Sequence, residues 1–214
     1  LRKPCATELM RLNKSFIVKR SVKGPREMMK AFTELSAYIA HSLADGHSIW
    51  IAQKEGRAKD GDDKTDPAIL KMFYMAGKQQ KMAFADYMQR LNIVPVAISY
   101  EFDPGDEAKA RELVERAQSG SYEKGEFEDI DSIVAGIVGH KGRVHVSLGK
   151  PLTGDYDTPE ELAAAIDLAI HGQYRLFPSN LLAAGQSDGV SPEERQRFEA
   201  RLQAMPEELR ATAR

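Results

Sequence analysis

The residues of this chain best suited to chemistry are cationic, and they stand where apolar runs end. Ile49 to Gly61 reads IWIAQKEGRAKDG, an apolar run passing straight into a turn that carries Glu55, Gly56, Arg57 and Lys59. A parallel sheet presents charge to an anionic substrate in this way, at the carboxyl ends of its strands. A second apolar run, Phe16 to Lys19, ends on Lys19 and Arg20. If the two runs are neighbouring parallel strands, four cations converge on one rim, where guanidinium groups hold a phosphate in bidentate fashion. The competing explanation is that 30 Lys and Arg must occupy the surface somewhere, and loops are the usual place. Spacing alone does not separate the two.

Other chemistry-bearing residues have ordinary explanations. Gly56 and Gly61 have the separation of a phosphate-cradling loop, but that loop continues with Lys and Ser or Thr, and here Asp62 and Asp63 follow. The acidic run Asp60, Asp62, Asp63 and Asp66 lacks a closing glutamate, and Lys64 takes a liganding position, so a solvated loop is expected rather than a calcium site. His41 and Asp45 lie one helical turn apart and suit a base with its orienting carboxylate. Their place at the end of an amphipathic helix suits a histidine complementing the helix dipole better. His145 alternates with valines and is expected to face outward from its strand. Cys5 has no neighbour that would lower its pKa.

The elements that must position these residues follow from periodicity and caps. Phe16 to Lys19 is expected to be a strand, with Gly24 and Pro25 marking the next turn. Met28, Phe32, Leu35, Ile39 and Leu43 recur at helical spacing, which predicts a helix over 25–45. Ser48 to Ala52 reads as a second strand, buried on both faces, giving a β-α-β unit. Asp66-Pro67 is an N-cap followed by proline at the first helical position, so helices are expected over 67–77 and 80–92. Ile93 to Tyr100 reads as a third strand in which Pro95 marks an edge, a bulge or a start. Helices are expected over 105–119 and 127–138. Arg143 to Leu148 then alternates, with Val144, Val146 and Leu148 expected to face inward. Thr158-Pro-Glu-Glu161 and Ser191-Pro-Glu-Glu194 are capping boxes that open two further helices. The pattern predicts an α/β fold, a mostly parallel sheet flanked by helices over 1–180, with 181–214 a helical C-terminal appendage.

Composition bounds the partners. At 214 residues, 42% hydrophobic and 29% charged, the chain can bury a core of ordinary size. A net charge of −2 provides no global field for nucleic acid, so any basic function must be local. One cysteine excludes an internal disulfide framework and agrees with a reducing compartment. No apolar run approaches the roughly 18 residues that a membrane span needs, so contact with a membrane is expected to be peripheral.

Three segments, taken together, resemble the glycerolipid acyltransferases, which acylate glycerol 3-phosphate or 1-acylglycerol 3-phosphate. Phe16-Ile-Val-Lys-Arg-Ser-Val-Lys-Gly24 resembles the family's second sequence block, with Lys19 or Arg20 at its basic position. Lys54-Glu-Gly-Arg-Ala-Lys-Asp-Gly61 resembles the third, although Arg57 follows Gly56 without the usual intervening residue. Ile93 to Glu101, with Pro95, resembles the fourth. The resemblance covers about residues 10–105, about half the chain. It implies an acyl donor, acyl-CoA or acyl carrier protein, a glycerol phosphate acceptor and no further cofactor. It also implies a substrate-binding set of Lys19, Arg20, Glu55, Gly56, Arg57 and Lys59, and a cytoplasmic location, peripheral at the membrane.

The family's first block, His-x4-Asp, which supplies the base, is missing. The residues five positions after the histidines are Gly46, Ala52, His145, Lys150 and Leu176. The chain is therefore expected to be either an N-terminal truncation of an enzyme, inactive as it stands, or a divergent, inactive relative, and Leu1 in place of methionine favours truncation. The alternatives are a non-catalytic module binding an anionic lipid or phosphate through the same cations, or an unrelated phosphosugar enzyme. Oligomeric state is left open by the sequence.

Overall fold

The computed structural model of the chain describes residues 24–54, 64–123, 125 and 128–213, with Asp129 described by its backbone alone. Of these, 56% lie in helix and 6% in strand, which overturns the expected α/β fold with a mostly parallel sheet. Contacts divide the chain into two compact units. Unit 1 takes the residues up to Gln53 with Asp66–Asn92 and Thr153–Ala163, and unit 2 takes Lys54–Thr65, Ile93–Leu152 and Ala164–Arg214.

Unit 1 is helical. Helix α1 (Pro25–Ala44) starts with proline in its first turn, as the fixed φ of that residue favours. The predicted apolar stripe is present, with Ile39 fully buried and Met28, near the start, largely exposed. Helix α2 (Pro67–Gln79) is capped by Asp66, whose Oδ1 accepts from the Ala68 N–H at 2.8 Å. Helix α3 (Phe84–Leu91) follows after a short turn. Two features join these helices. Ser36 is buried, its hydroxyl donating to the Phe73 carbonyl at 2.9 Å and accepting from the Ala76 N–H at 3.0 Å, so the polar group enters the core with both roles satisfied. Gly77 lies against the Tyr87 ring so closely that a Cβ there would occupy the ring's position, and the absence of a side chain is what lets α3 approach α2.

The expected strand at Ser48–Ala52 does not form. These residues have no regular structure, and Trp50 is 67% exposed. An apolar run becomes a strand only when a neighbour takes its N–H and C=O groups, and no described segment pairs with this one. What the backbone does instead is close a loop, the Asp66 N–H donating to the Gln53 carbonyl at 2.9 Å. The β-α-β unit is therefore not formed by its second strand. Its first, Phe16–Lys19, lies outside the described residues.

Unit 2 holds the two strands found among the described residues, β1 (Val96–Tyr100) and β2 (Val144–Leu148). They pair antiparallel, Val96 opposite Leu148, Ile98 opposite Val146 and Tyr100 opposite Val144. Between them run helices α4 (Asp106–Ser119) and α5 (Glu128–Val138). After them come α6 (Pro159–His171), whose first residues belong to unit 1, α7 (Pro178–Ala183) and α8 (Pro192–Gln203), then a 3-10 turn over Glu207–Leu209. Both capping boxes are present: Thr158 Oγ1 and Ser191 Oγ each accept, at 3.2 Å, from the N–H three residues on. Phe198 and Leu202 of α8 bury against Phe102, with Leu182 and Ala183 of α7 packed around them.

Candidate functional site

The residues chosen from sequence as substrate-binding, Lys19, Arg20, Glu55, Gly56, Arg57 and Lys59, all lie outside the described residues, as does Cys5. His41 Nε2 stands 3.4 Å from Asp45 Oδ2, but both side chains are more than half exposed at the end of α1. Salt and water screen such a pair, so it provides no enclosed base. Among the described residues no group of three or more His, Cys, Asp or Glu could hold a metal ion.

The two-stranded sheet of unit 2 carries the most informative geometry. Alternation gives a strand pair two faces, and here they are used in reverse of the usual order. The inner face carries Ala97, Ser99, His145 and Ser147, with Glu101 continuing the same parity just past β1. Ser99 Oγ accepts from the Arg175 N–H at 3.0 Å, and Ser147 Oγ donates to Gln173 Oε1 at 3.0 Å. His145 is half-buried on this side, not outward as alternation with valines suggested.

Glu101 is the centre of that inner face, its side chain 3% exposed. Its Oε2 accepts from the Arg143 N–H at 2.8 Å and from Arg143 Nε at 3.1 Å. Its Oε1 accepts from Arg143 Nη2 at 3.1 Å and from Arg197 Nη2. Arg143 also donates to Glu194 Oε1 of α8 at 3.1 Å, while Ser179 Oγ donates to the Glu101 carbonyl. Gly142, at φ 61°, permits this approach, since a Cβ there would meet the Glu101 carboxylate. Burial pushes the Glu101 pKa up, but the hydrogen bonds and charge of Arg143 and the charge of Arg197 outweigh it and hold the group below the ordinary carboxylate value. A carboxylate with both oxygens engaged by cations and a depressed pKa is a poor general base. Its role is to bind β1, β2 and α8 together.

The guanidinium groups are further held by aromatic faces. Arg143 Cζ lies 5.3 Å and Arg175 Cζ 5.9 Å from the centre of the Phe177 ring, and Arg201 Cζ lies 5.3 Å from that of Phe102. Arg201 Nε also donates to Asp106 Oδ2 at 2.7 Å.

The outer face is apolar at every paired position: Val96 with Leu148, Ile98 with Val146, Tyr100 with Val144. Val144, Val146 and Leu148, expected to face inward, face solvent instead, and Leu148 is 73% exposed. The alternation marks a strand but not the side its apolar residues face. Helix α5 repeats the theme in the same unit, with Ile133, Val134, Ile137 and Val138 all exposed.

No family model matches the chain, and no curated protein or solved structure matches it. The resemblance to the glycerolipid acyltransferases is overturned by the fold. The third block's apolar lead-in at Ser48–Ala52 is not a strand, the fourth block's strand belongs to a two-stranded antiparallel ribbon, and more than half of the described residues are helical. No described catalytic arrangement or α/β core supports acyl transfer, and with it fall the expected acyl donor, glycerol phosphate acceptor and peripheral membrane surface. Among the described residues no helix is long and apolar enough to cross a membrane. Sequence reading missed Glu101, Arg143 and Arg197, which meet across 42 and 96 residues of chain. The signal available was the polar parity of both strands, Ser99 with Glu101 and His145 with Ser147.

Proposed function

We propose that unit 2 is a polypeptide-association module whose docking surface is the outer face of the β1–β2 ribbon, and that the surface it takes is the same face of a second copy of the chain. The observation that carries this reading is the set of six apolar residues on one face, five of them exposed, with no charge among them. Contiguous apolar surface of that kind marks an interaction site in a folded protein. A two-stranded ribbon is also marginal in water without something packed on its apolar side. An uncharged face requires an uncharged complement, because burying an unpaired charge against it costs too much. The chain supplies that complement itself, and a two-fold arrangement of identical faces brings no like charges together.

Sedimentation equilibrium of the chain across the micromolar range tests the reading. The expected result is a reversible dimer that Val146→Lys converts to monomer, with the helical circular dichroism of the two proteins the same. Val146 points to solvent, so the substitution itself costs within about 0.5 kcal/mol of folding stability. A chain that stays monomeric to about 100 µM, or a dimer indifferent to Val146→Lys and Leu148→Glu, overturns it.

A further inference from the structure

Within unit 1, the end of α1, the end of α2 and α3 enclose a cleft of about 360 Å³, open on one side, which is in the size range of small-molecule sites. Its walls are mixed, apolar at Ala40, Leu43, Ala76 and Leu91 and polar at His41, Gln79 and Gln80. Two polar groups of α3 line it, Tyr87 and Arg90, three residues apart and so on one face of the helix.

Tyr87 is 2% exposed. Burial pushes its pKa up and the nearby Arg90 charge pulls it down, so the hydroxyl is a neutral O–H beside a cation. No hydrogen bond to that hydroxyl is made by any described residue, although the hydroxyls of the buried Ser36 and of the neighbouring Tyr74 both have partners, Tyr74 donating to the Met82 carbonyl at 2.8 Å. Buried polar groups left without partners are rare in native proteins. No fully enclosed side-chain polar atom is unpaired among the described residues, so the Tyr87 hydroxyl is not wholly enclosed, and the Tyr87 side chain lines the cleft.

Arg90 completes the argument. Its Nη1 donates to Gln80 Oε1 at 3.2 Å and to Met82 Sδ at 3.9 Å, both neutral, and no described carboxylate pairs with it. The cleft thus offers apolar patches beside one guanidinium that no described carboxylate compensates and one hydroxyl that no described residue uses. We infer that this cleft binds a small organic monocarboxylate, the alkyl or aryl body against Leu43, Ala76 and Leu91 and the carboxylate on Arg90 and the Tyr87 O–H. Arginine provides a planar pair of donors matched to a carboxylate, and a charge-assisted pair in a partly enclosed site is stronger than a neutral one. A neutral amide of the same shape keeps the body contacts and loses the charge.

The test is titration of the full chain with hexanoate and benzoate, and with hexanamide and benzamide, followed by amide chemical shifts. Saturable shifts confined to α1, α2 and α3 are expected, with each acid binding about ten-fold tighter than its amide, the change that one charge-assisted hydrogen bond brings. Arg90→Met should remove the preference of acid over amide. Tyr87→Phe should weaken acid binding while leaving the fold intact, because the hydroxyl it deletes has no described protein partner. Equal affinity for acid and amide, shifts outside these helices, no saturation by about 10 mM, or an Arg90→Met variant that still prefers the acid would overturn the inference. Because the readout is ligand binding to unit 1, it is separate from the association state of unit 2.

Discussion

The helices of unit 1 pack apolar residues inside; the sheet of unit 2 turns its apolar face outward. In unit 1, Leu70, Met72, Ala76, Tyr87 and Met88 are inside, and the buried serine that joins α1 to α2 has both its hydrogen bonds. In unit 2 the inner face of the ribbon is held by serines and a carboxylate, while Ile98, Tyr100, Val144, Val146 and Leu148 look outward. Apolar burial needs only shape and tolerates exchange of one hydrocarbon for another. A buried carboxylate needs specific cations at specific distances, and is all-or-none in its demands. The contrast is between the helices of unit 1, joined through apolar burial, and the ribbon of unit 2, joined to α8 through a polar network beside the Phe102, Phe198 and Leu202 core.

The largest expected effect comes from stranding the Glu101 carboxylate. Arg143→Met together with Arg197→Met keeps unbranched apolar side chains at both positions and removes both cations. Breaking a buried ion pair from one side costs about 3–5 kcal/mol. Glu101→Gln removes the charge but keeps an acceptor for the Arg143 N–H, and leaves two arginines whose side chains are half exposed and readily hydrated. Its cost should be about 1.5–3 kcal/mol, the contribution of hydrogen bonds to a charged group. Amide exchange in β1 and β2 reads both. An order reversed from this, with the glutamine variant the less stable, would show that the arginines and not the carboxylate carry the buried charge problem.

Most of the helices were legible in the sequence; the sheet and the fold class were not, for a physical reason. Helix periodicity over 25–45, the Asp66-Pro67 cap and the two capping boxes each depend on neighbours within one or two turns, so local letters determine them. The run at Ser48–Ala52 failed as a strand because pairing is a property of two segments, and one apolar segment cannot reveal that its partner is missing. Val144, Val146 and Leu148 were assigned to the wrong side because alternation fixes parity and not direction. Direction was set here by Glu101, whose cations arrive from distant positions. Of the candidate site, the cationic turn and Lys19 or Arg20 were chosen for charge at strand ends and lie outside the described residues. Tyr87 and Arg90 were passed over, since a lone tyrosine and arginine on a helix carry no sequence signature until a third helix encloses them.

Gly77→Ala adds a methyl group where the Tyr87 ring lies. Overpacking of a tight contact costs about 1–3 kcal/mol, and alanine returns roughly 1 kcal/mol through its better helix propensity. A net loss of up to about 2 kcal/mol is expected, and Tyr87→Ala on the same background should not restore it, since that opens a cavity of its own. Amide exchange in α2 and α3 should rise while β1 and β2 are unchanged, because the damage is confined to unit 1. Equal loosening of both would show that the two regions share one cooperative core.

The smallest effect separates the units by pH. Glu101 and Asp103 both lie in unit 2. For each, burial pushes the pKa up but the hydrogen bonds and charges outweigh it, those of Arg143 and Arg197 for Glu101 and those of Lys109, the Gly105 N–H and Arg201 for Asp103, leaving both below their ordinary values of 4.5 and 3.8. A group depressed in the folded state stabilises fully above its unfolded pKa, and that contribution is lost as pH falls through the folded one. Protection of β1 and β2 against exchange should therefore hold at pH 6 and decline as the solution is taken below those ordinary values. Glu101→Gln should begin from a lower level and decline less, the remainder belonging to Asp103. Protection in α1 and α2 centres on Ile39, Leu70 and Met72, which do not titrate, and should fall less over the same range. A variant whose β1 and β2 lose protection as steeply as the parent would show that some other carboxylate carries the acid sensitivity of the ribbon.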